Sequence, residues 1–308
     1  MKRRAAISAF IICALTAPCV LPAVPAPGSP VTSDSPIIYG QGVELAELAN
    51  QSINESSGIA CSRSSPGIFW THNDSGGEPV LYAFNPKGED LGEFPVKGAK
   101  ATDWEDIASF ALSGQNYLLV ADTGDNATRR DHCTLFIARE PDVVDKTTRP
   151  TELALISEQD FVYEDGPRNC ESAAVDSTRR EVLLVSKMTD PSCKVYMLPL
   201  PGKGRPKQAV AKAIATLSIP TTTAMDISPD GLRAVVLTYK NAYEYTRGAT
   251  EDWGKAFASE PRVLTMPDRK QGESICYGPD GRTLYLTSEK RPTPLIEVAP
   301  KDTTRRKP

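Results

Sequence analysis

From residue 42 onward the chain is a succession of short apolar runs cut apart by Gly, Pro, Asn, Asp and Ser. The runs at 58–61, 68–71, 80–84 and 91–96 are separated by gaps of hairpin length, which predicts antiparallel strands. The later runs 118–121, 182–185, 234–237 and 283–286 read LLVA, VLLV, AVVL and TLYL. Such unbroken runs fit strands covered on both sheet faces. A helical apolar period is nowhere sustained, and residues 249–259 predict one short helix.

The runs recur as a unit: an acid, a short strand, a polar turn, an apolar strand and a polar tip. Glu55 opens the first unit, which ends in His72, Asn73 and Asp74. Glu105, Glu171, Asp226 and Glu273 open four more, which end in Asp122, Lys187, Tyr239 and Ser288. The opening acids stand 47 to 66 residues apart, the period of a propeller or solenoid. Two further strands follow each of the first four units, enough for one four-stranded blade per repeat. The fifth repeat is one strand short, and residues 42–48 can supply it, which also removes an open edge. The expected fold is an all-β, five-bladed β-propeller closed by an N-terminal strand. A six-bladed propeller is the alternative and needs a repeat that is not visible.

In a propeller blade the start of the first strand and the end of the second share a face. Glu55, Glu105, Glu171, Asp226 and Glu273 should therefore ring one mouth of the channel, with the tip residues just outside them. Asp103 and Trp104, Asp125, Arg130 and Glu289 fall on the same face. Like charges crowded around a narrow hole either take up protons or draw in a cation. An all-oxygen donor set fits Ca2+ better than Mg2+, and clusters of His or Cys suited to zinc are missing. The five acids are accordingly the expected metal ligands. The alternative is architectural: each acid accepts N–H groups of the next blade and binds nothing.

Catalytic candidates on this face are His72 or Asp122 to position water, and Lys187 and Arg130 to neutralise an anionic substrate. A tip-loop histidine that merely hydrogen-bonds, and a lysine that merely balances the acids, are the plainer readings. GxSxG, P-loop and HExxH motifs do not occur.

Composition adds the compartment. Of the 308 residues, 40% are apolar and 24% charged, ordinary for a globular protein. Lys2, Arg3 and Arg4 precede an apolar run over 5–17, the form of a secretory signal ending by residue 26. Residues 27–40 then read as a flexible lead-in, 41–300 as the propeller domain and 301–308 as a basic tail. The protein is expected to be secreted and monomeric, without a membrane span. The net charge of −4 becomes more negative when the leader is removed, which argues against nucleic acid as a partner. A small molecule or a glycan at the channel mouth is the expected ligand. Export permits disulfides, and Cys170 with Cys193 is the expected pair.

The segments ESSGIA, WTHNDSGG, DWEDIA, ADTGDN, CESAAV and QGESICYGPDG together resemble a family of exported bacterial β-propeller proteins. The similarity spans about residues 50–295 and implies a propeller and export rather than an activity. Calcium-activated nucleotidases of the apyrase type are similar more loosely, through an acid on each inner strand around a tunnel calcium. Five-bladed glycosidases, with acid/base carboxylates on inner strands, are similar in the same loose way. The expected function is metal-dependent hydrolysis of phosphate esters or another anionic substrate. A metal-free glycosidase and a non-catalytic glycan- or protein-binding propeller are the alternatives.

Overall fold

A computed structural model describes residues 37–143, 150–204 and 207–301. The expected leader, most of the lead-in and nearly all of the basic tail lie outside the described residues. The described chain is all-β apart from one helical turn, and its twenty strands are numbered in order. An N-terminal strand β1 (Val43–Glu47) precedes the first sheet, β2 (Ser56–Cys61), β3 (Phe69–Asn73), β4 (Val80–Phe84) and β5 (Asp90–Lys97). The second is β6 (Trp104–Leu112), β7 (Gln115–Asp122), β8 (Cys133–Arg139) and β9 (Leu153–Tyr163). The third is β10 (Cys170–Asp176), β11 (Glu181–Ser186), β12 (Cys193–Pro199) and β13 (Ala209–Leu217). The fourth is β14 (Thr222–Ile227), β15 (Arg233–Thr238), β16 (Asn241–Thr246) and β17 (Arg262–Thr265), with helix α1 (Trp253–Phe257) before its last strand. The fifth has β18 (Ser274–Tyr277), β19 (Leu284–Thr287) and β20 (Pro294–Val298), and β1 pairs antiparallel with β20 as its fourth strand.

Within each sheet the four strands form an antiparallel meander. Local chemistry sets the hairpins. Gly231 and Gly281 have φ of 69° and 65°, a left-handed conformation that glycine adopts without strain. The carboxylates of Asp230 and Asp280 accept the N–H groups that follow, Leu232 in one turn and Arg282 and Thr283 in the other, as turn aspartates do. The outer strands also touch across sheets: β5 and β13 each pair in parallel with the long β9.

Successive side chains of a strand point to opposite faces, so an unbroken apolar strand feeds two cores. Val182 and Leu184 of β11 enter the core between the second and third sheets, whereas Leu183 and Val185 enter the one between the third and fourth. Ala234 and Val236 of β15 face back toward the third sheet, and Val235 and Leu237 face forward to the fifth. Another core lies between the first and second sheets. Ile59, Phe69 and Phe84 of the first sheet meet Cys276 and Leu295 of the fifth in the last. Every sheet thus has a neighbour on both faces. The first strands follow the same cycle, β2 beside β6, then β10, β14, β18 and β2 again.

Two expectations change here. Residues 37–40, assigned to the lead-in by composition, already belong to the fold. Tyr39 bridges to Pro300, stacks on the Arg262 guanidinium and donates its hydroxyl proton to Glu244. Cys170 and Cys193 do not form a disulfide, and both are free thiols. They lie on opposite faces of the third sheet, Cys170 in the core toward the second and Cys193 in the core toward the fourth. Neighbours in sequence repeat are not neighbours across a sheet.

Truncating a fully buried inter-sheet residue should be costly. Leu184→Ala is expected to lose about 2–5 kcal/mol in urea denaturation. Leu45→Ala, on the exposed strand β1, should stay within about 0.5 kcal/mol. Equal effects would contradict the placement of the cores.

Candidate functional site at the start of the inner strands

The first four inner strands each carry a β-bulge near the start, and the bulge decides which side chain is presented. The register breaks between Ser57 and Ile59, Trp104 and Asp106, Cys170 and Ser172, and Thr222 and Ala224. The unpaired residues are Gly58, Glu105, Glu171 and Thr223, and Glu273 takes the matching place just ahead of β18. Such bulges re-aim a side chain out of the pleat. Crossed hydrogen bonds hold them: Ser57 Oγ to Glu105 O (3.0 Å), Thr123 Oγ1 to Cys170 O (2.8 Å), Thr223 Oγ1 to Gly272 O (2.8 Å) and Gly58 N to Glu273 O (3.1 Å).

Of the five predicted ligands, Glu105, Glu171 and Glu273 therefore come together, and each is buried. The other two do not join them. Glu55 lies three residues ahead of the bulge and is exposed, although its charge still bears on Asp74 and Glu289. Asp226 lies three residues beyond Thr223. Its carboxylate accepts the N–H groups of Ile227 and Tyr277, both at 2.8 Å, so it ties the fourth sheet to the fifth. It lines a separate cavity of about 70 Å³ with Arg63, Asp176 and Ser228. An acid matched by type alone is out of step with one matched by register.

Asp74, Asp103 and Glu289 complete the site; they are rim residues in sequence that were not among the predicted ligands. Carboxylate oxygens of Asp74, Asp103 and Glu105 lie within 4.8 Å of one another, as do those of Asp74, Glu273 and Glu289. Asp74 belongs to both groups, and its Oδ1 is buried without a hydrogen-bond partner. Gly124 makes room for the first group. A methyl there would lie 2.2 Å from Glu105 Oε1 and 2.3 Å from Asp103 Oδ2, so only glycine allows the carboxylates to pack on this backbone. The HNDSGG, DWED and TGDN segments meet at this point.

Crowding and burial set the protonation. Burial pushes Asp74 up to about 6, with Asp103, Glu273 and Glu55 adding to the shift. Burial raises Asp103, and it drives Glu105 well above the carboxylate range, helped by Glu171, Asp74, Asp103 and Glu273. Burial, then a hydrogen bond to Glu273, brings Glu289 up to about 9. Glu273 itself is held low. Burial opposes this, but the proton on Glu289, the Lys187 charge and the Tyr239 hydroxyl outweigh it.

Lys187 is the one predicted catalytic group inside the cluster. Its ammonium lies 2.5 Å from Glu171 Oε2, 2.8 Å from the Tyr239 hydroxyl and 3.8 Å from Glu273 Oε1. The remaining three candidates have other work. His72 is fully buried, edge-on to Trp104, with Nδ1 against Asn73 O (2.9 Å) and Nε2 unpartnered. Burial lowers its pKa to about 4, so the imidazole is neutral. Asp122 is buried and accepts Thr102 N, Asp103 N and Arg130 Nη1. Arg130 also donates to Gly124 O. The Asp122–Arg130 pair thus clamps the two loops that carry Asp103 and Gly124, a positioning task that sequence alone does not separate from catalysis.

No protein-family model matches the chain, and no curated protein sequence does either. Solved structures do. A gluconolactonase of Xanthomonas campestris is similar at 9% identity and a TM-score of 0.46, over 84% of this chain and 89% of that one. The Dos1 propeller is similar at 9% identity and a TM-score of 0.38, over 79% and 67%. A nidogen–laminin complex is similar at 13% identity and a TM-score of 0.43, over 77% and 73%.

Proposed function

We propose that the protein is an exported five-bladed β-propeller, closed by β1, whose channel mouth binds a Ca2+-like cation and hydrolyses phosphate esters. Five inter-sheet cores for five sheets support the ring, because an open row of five would have only four. The observation that carries the functional reading is the buried, unpartnered Oδ1 of Asp74 beside Asp103 and Glu105. These three carboxylates are hard oxygen donors, and their irregular arrangement suits calcium, which takes about six to eight oxygens in flexible geometry. When bound, such a cation polarises a substrate oxygen and offsets its charge.

The residues divide the work. Asp74, Asp103 and Glu105 hold the cation. Glu171 is already neutralised by Lys187, so it keeps that ammonium at the mouth, where an anionic substrate would meet it. Glu289 holds a proton on Glu273 near neutral pH and is placed to deliver it to a leaving oxygen. The two carboxyls of a glycosidase stand about 5 Å or more apart, so the hydrogen-bonded Glu273–Glu289 pair does not favour glycoside hydrolysis without metal.

Calcium at about 100 times its Kd should stabilise the protein by about 2.7 kcal/mol. That is a rise in Tm of about 5–10 °C, reversed by chelator. Asp74→Asn and Gly124→Ala should abolish the rise, and Glu55→Gln should keep it. An unchanged Tm in calcium would end the metal proposal. Phosphate release from a panel of phosphate esters should require calcium. Absence of turnover would remove the hydrolytic part, and cleavage of glycosides in chelator would overturn the metal-dependent reading.

The raised carboxyl groups also predict the pH response of the cation-free protein. A carboxyl whose folded pKa is raised holds a proton that the unfolded chain has lost, so its contribution falls as pH rises. In chelator, Tm should therefore drop from pH 5 to pH 9, through the values of Asp74 and Glu289. Calcium should flatten the drop by replacing the protons. A chelated Tm that rises across this range would contradict the assignment.

A further inference from the structure

Outside the acidic site, two sulfur atoms meet where the first sheet packs on the last. Cys61 Sγ at the end of β2 lies 3.6 Å from Cys276 Sγ in β18, a contact between residues 215 positions apart. Cys276 is buried in the core shared by those two sheets, and Cys61 packs against that core while remaining partly exposed. The other thiols are placed differently. Cys133 and Cys170 share a core but turn to Thr123 O and Ser172 O, and Cys193 turns to Met188 O.

We propose that Cys61 and Cys276 are a site of oxidative cross-linking, joined by a disulfide oxidant into a covalent seam between the first and last sheets. The accessible Cys61 thiolate attacks the oxidant's S–S bond, forming a mixed disulfide and releasing one oxidant thiol. Cys276 then loses its proton and attacks Cys61 Sγ, displacing the second oxidant thiol. One protein S–S bond forms, the oxidant's breaks, and both protons end on the reduced oxidant. Burial holds the Cys276 thiol well above its ordinary pKa, so the second step is the slow one and speeds up with pH. The link joins the inner strands of the first and fifth sheets, β2 and β18, so it ties an early part of the folded chain to a late one. A cross-link enclosing so much chain restricts the unfolded state strongly.

The test uses the full chain, equilibrated with oxidised glutathione, alkylated and digested without reductant. Mass spectrometry should find the Cys61 and Cys276 peptides joined, two hydrogens lighter than their sum. Recovery of both peptides alkylated, or of Cys61 carrying glutathione beside a free Cys276, would overturn the proposal. Reductant should lower the Tm of the oxidised protein by about 5 °C or more and leave Cys61→Ser unmoved. Equal Tm values for the oxidised protein with and without reductant would refute the seam. The readout is independent of calcium and of catalysis.

Discussion

A sheet that is apolar on both faces cannot stand at the end of a row, and that constraint governs this molecule. Val182 to Val185 shows it in four residues, alternately filling the core behind the sheet and the core ahead of it. Each sheet needs two neighbours, and contacts between first strands run from β2 to β6, β10, β14, β18 and β2 again. The polar backbone inside is satisfied in the same spirit. Asp106, fully buried on the second sheet, accepts Ala173 N of the third and Met225 N of the fourth at 2.9 and 3.1 Å. Losing that carboxylate would leave buried N–H groups unmatched, at about 1–3 kcal/mol each. Glu140 and Asp176 do similar work farther out, on the indole N–H groups of Trp70 and Trp253.

The geometry that satisfies the cores creates an electrostatic conflict at the bulges. Glu105, Glu171 and Glu273 are brought close, buried, and joined by Asp74, Asp103 and Glu289. The Lys187 ammonium stands among them, and the Arg130 guanidinium, already paired with Asp122, bears on Asp103. These charges cannot compensate six carboxyls, so the remainder hold protons, share them or accept a cation. The pairing of a protonated Glu289 with an ionised Glu273 is the proton-bearing answer. The open oxygen of Asp74 and the bare backbone of Gly124 mark where the cationic answer would sit.

Register explains the partial legibility of the site. Glu105, Glu171 and Glu273 could be picked out because each precedes a strand in the same unit. Glu55 and Asp226 look equivalent on that criterion, but they stand three residues to either side of the bulge positions Gly58 and Thr223. Because a strand alternates faces, three residues along it means another face and about 10 Å of travel. Asp74 could be singled out as a polar-tip residue, and Asp103 as a near neighbour of Glu105. That they meet depends on loops held by the Asp122–Arg130 clamp, which no local pattern encodes.

The strands, the hairpin turns, the repeat and the N-terminal strand of the fifth sheet were all legible in the linear chain, because they follow from side-chain alternation and local turn chemistry. Tertiary structure alone decided which acids share a site, that His72 is buried and neutral, and that Cys170 and Cys193 face apart while Cys61 and Cys276 meet. Those outcomes depend on bulge register and on which sheet packs against which, and both are settled by contacts between residues far apart in the chain.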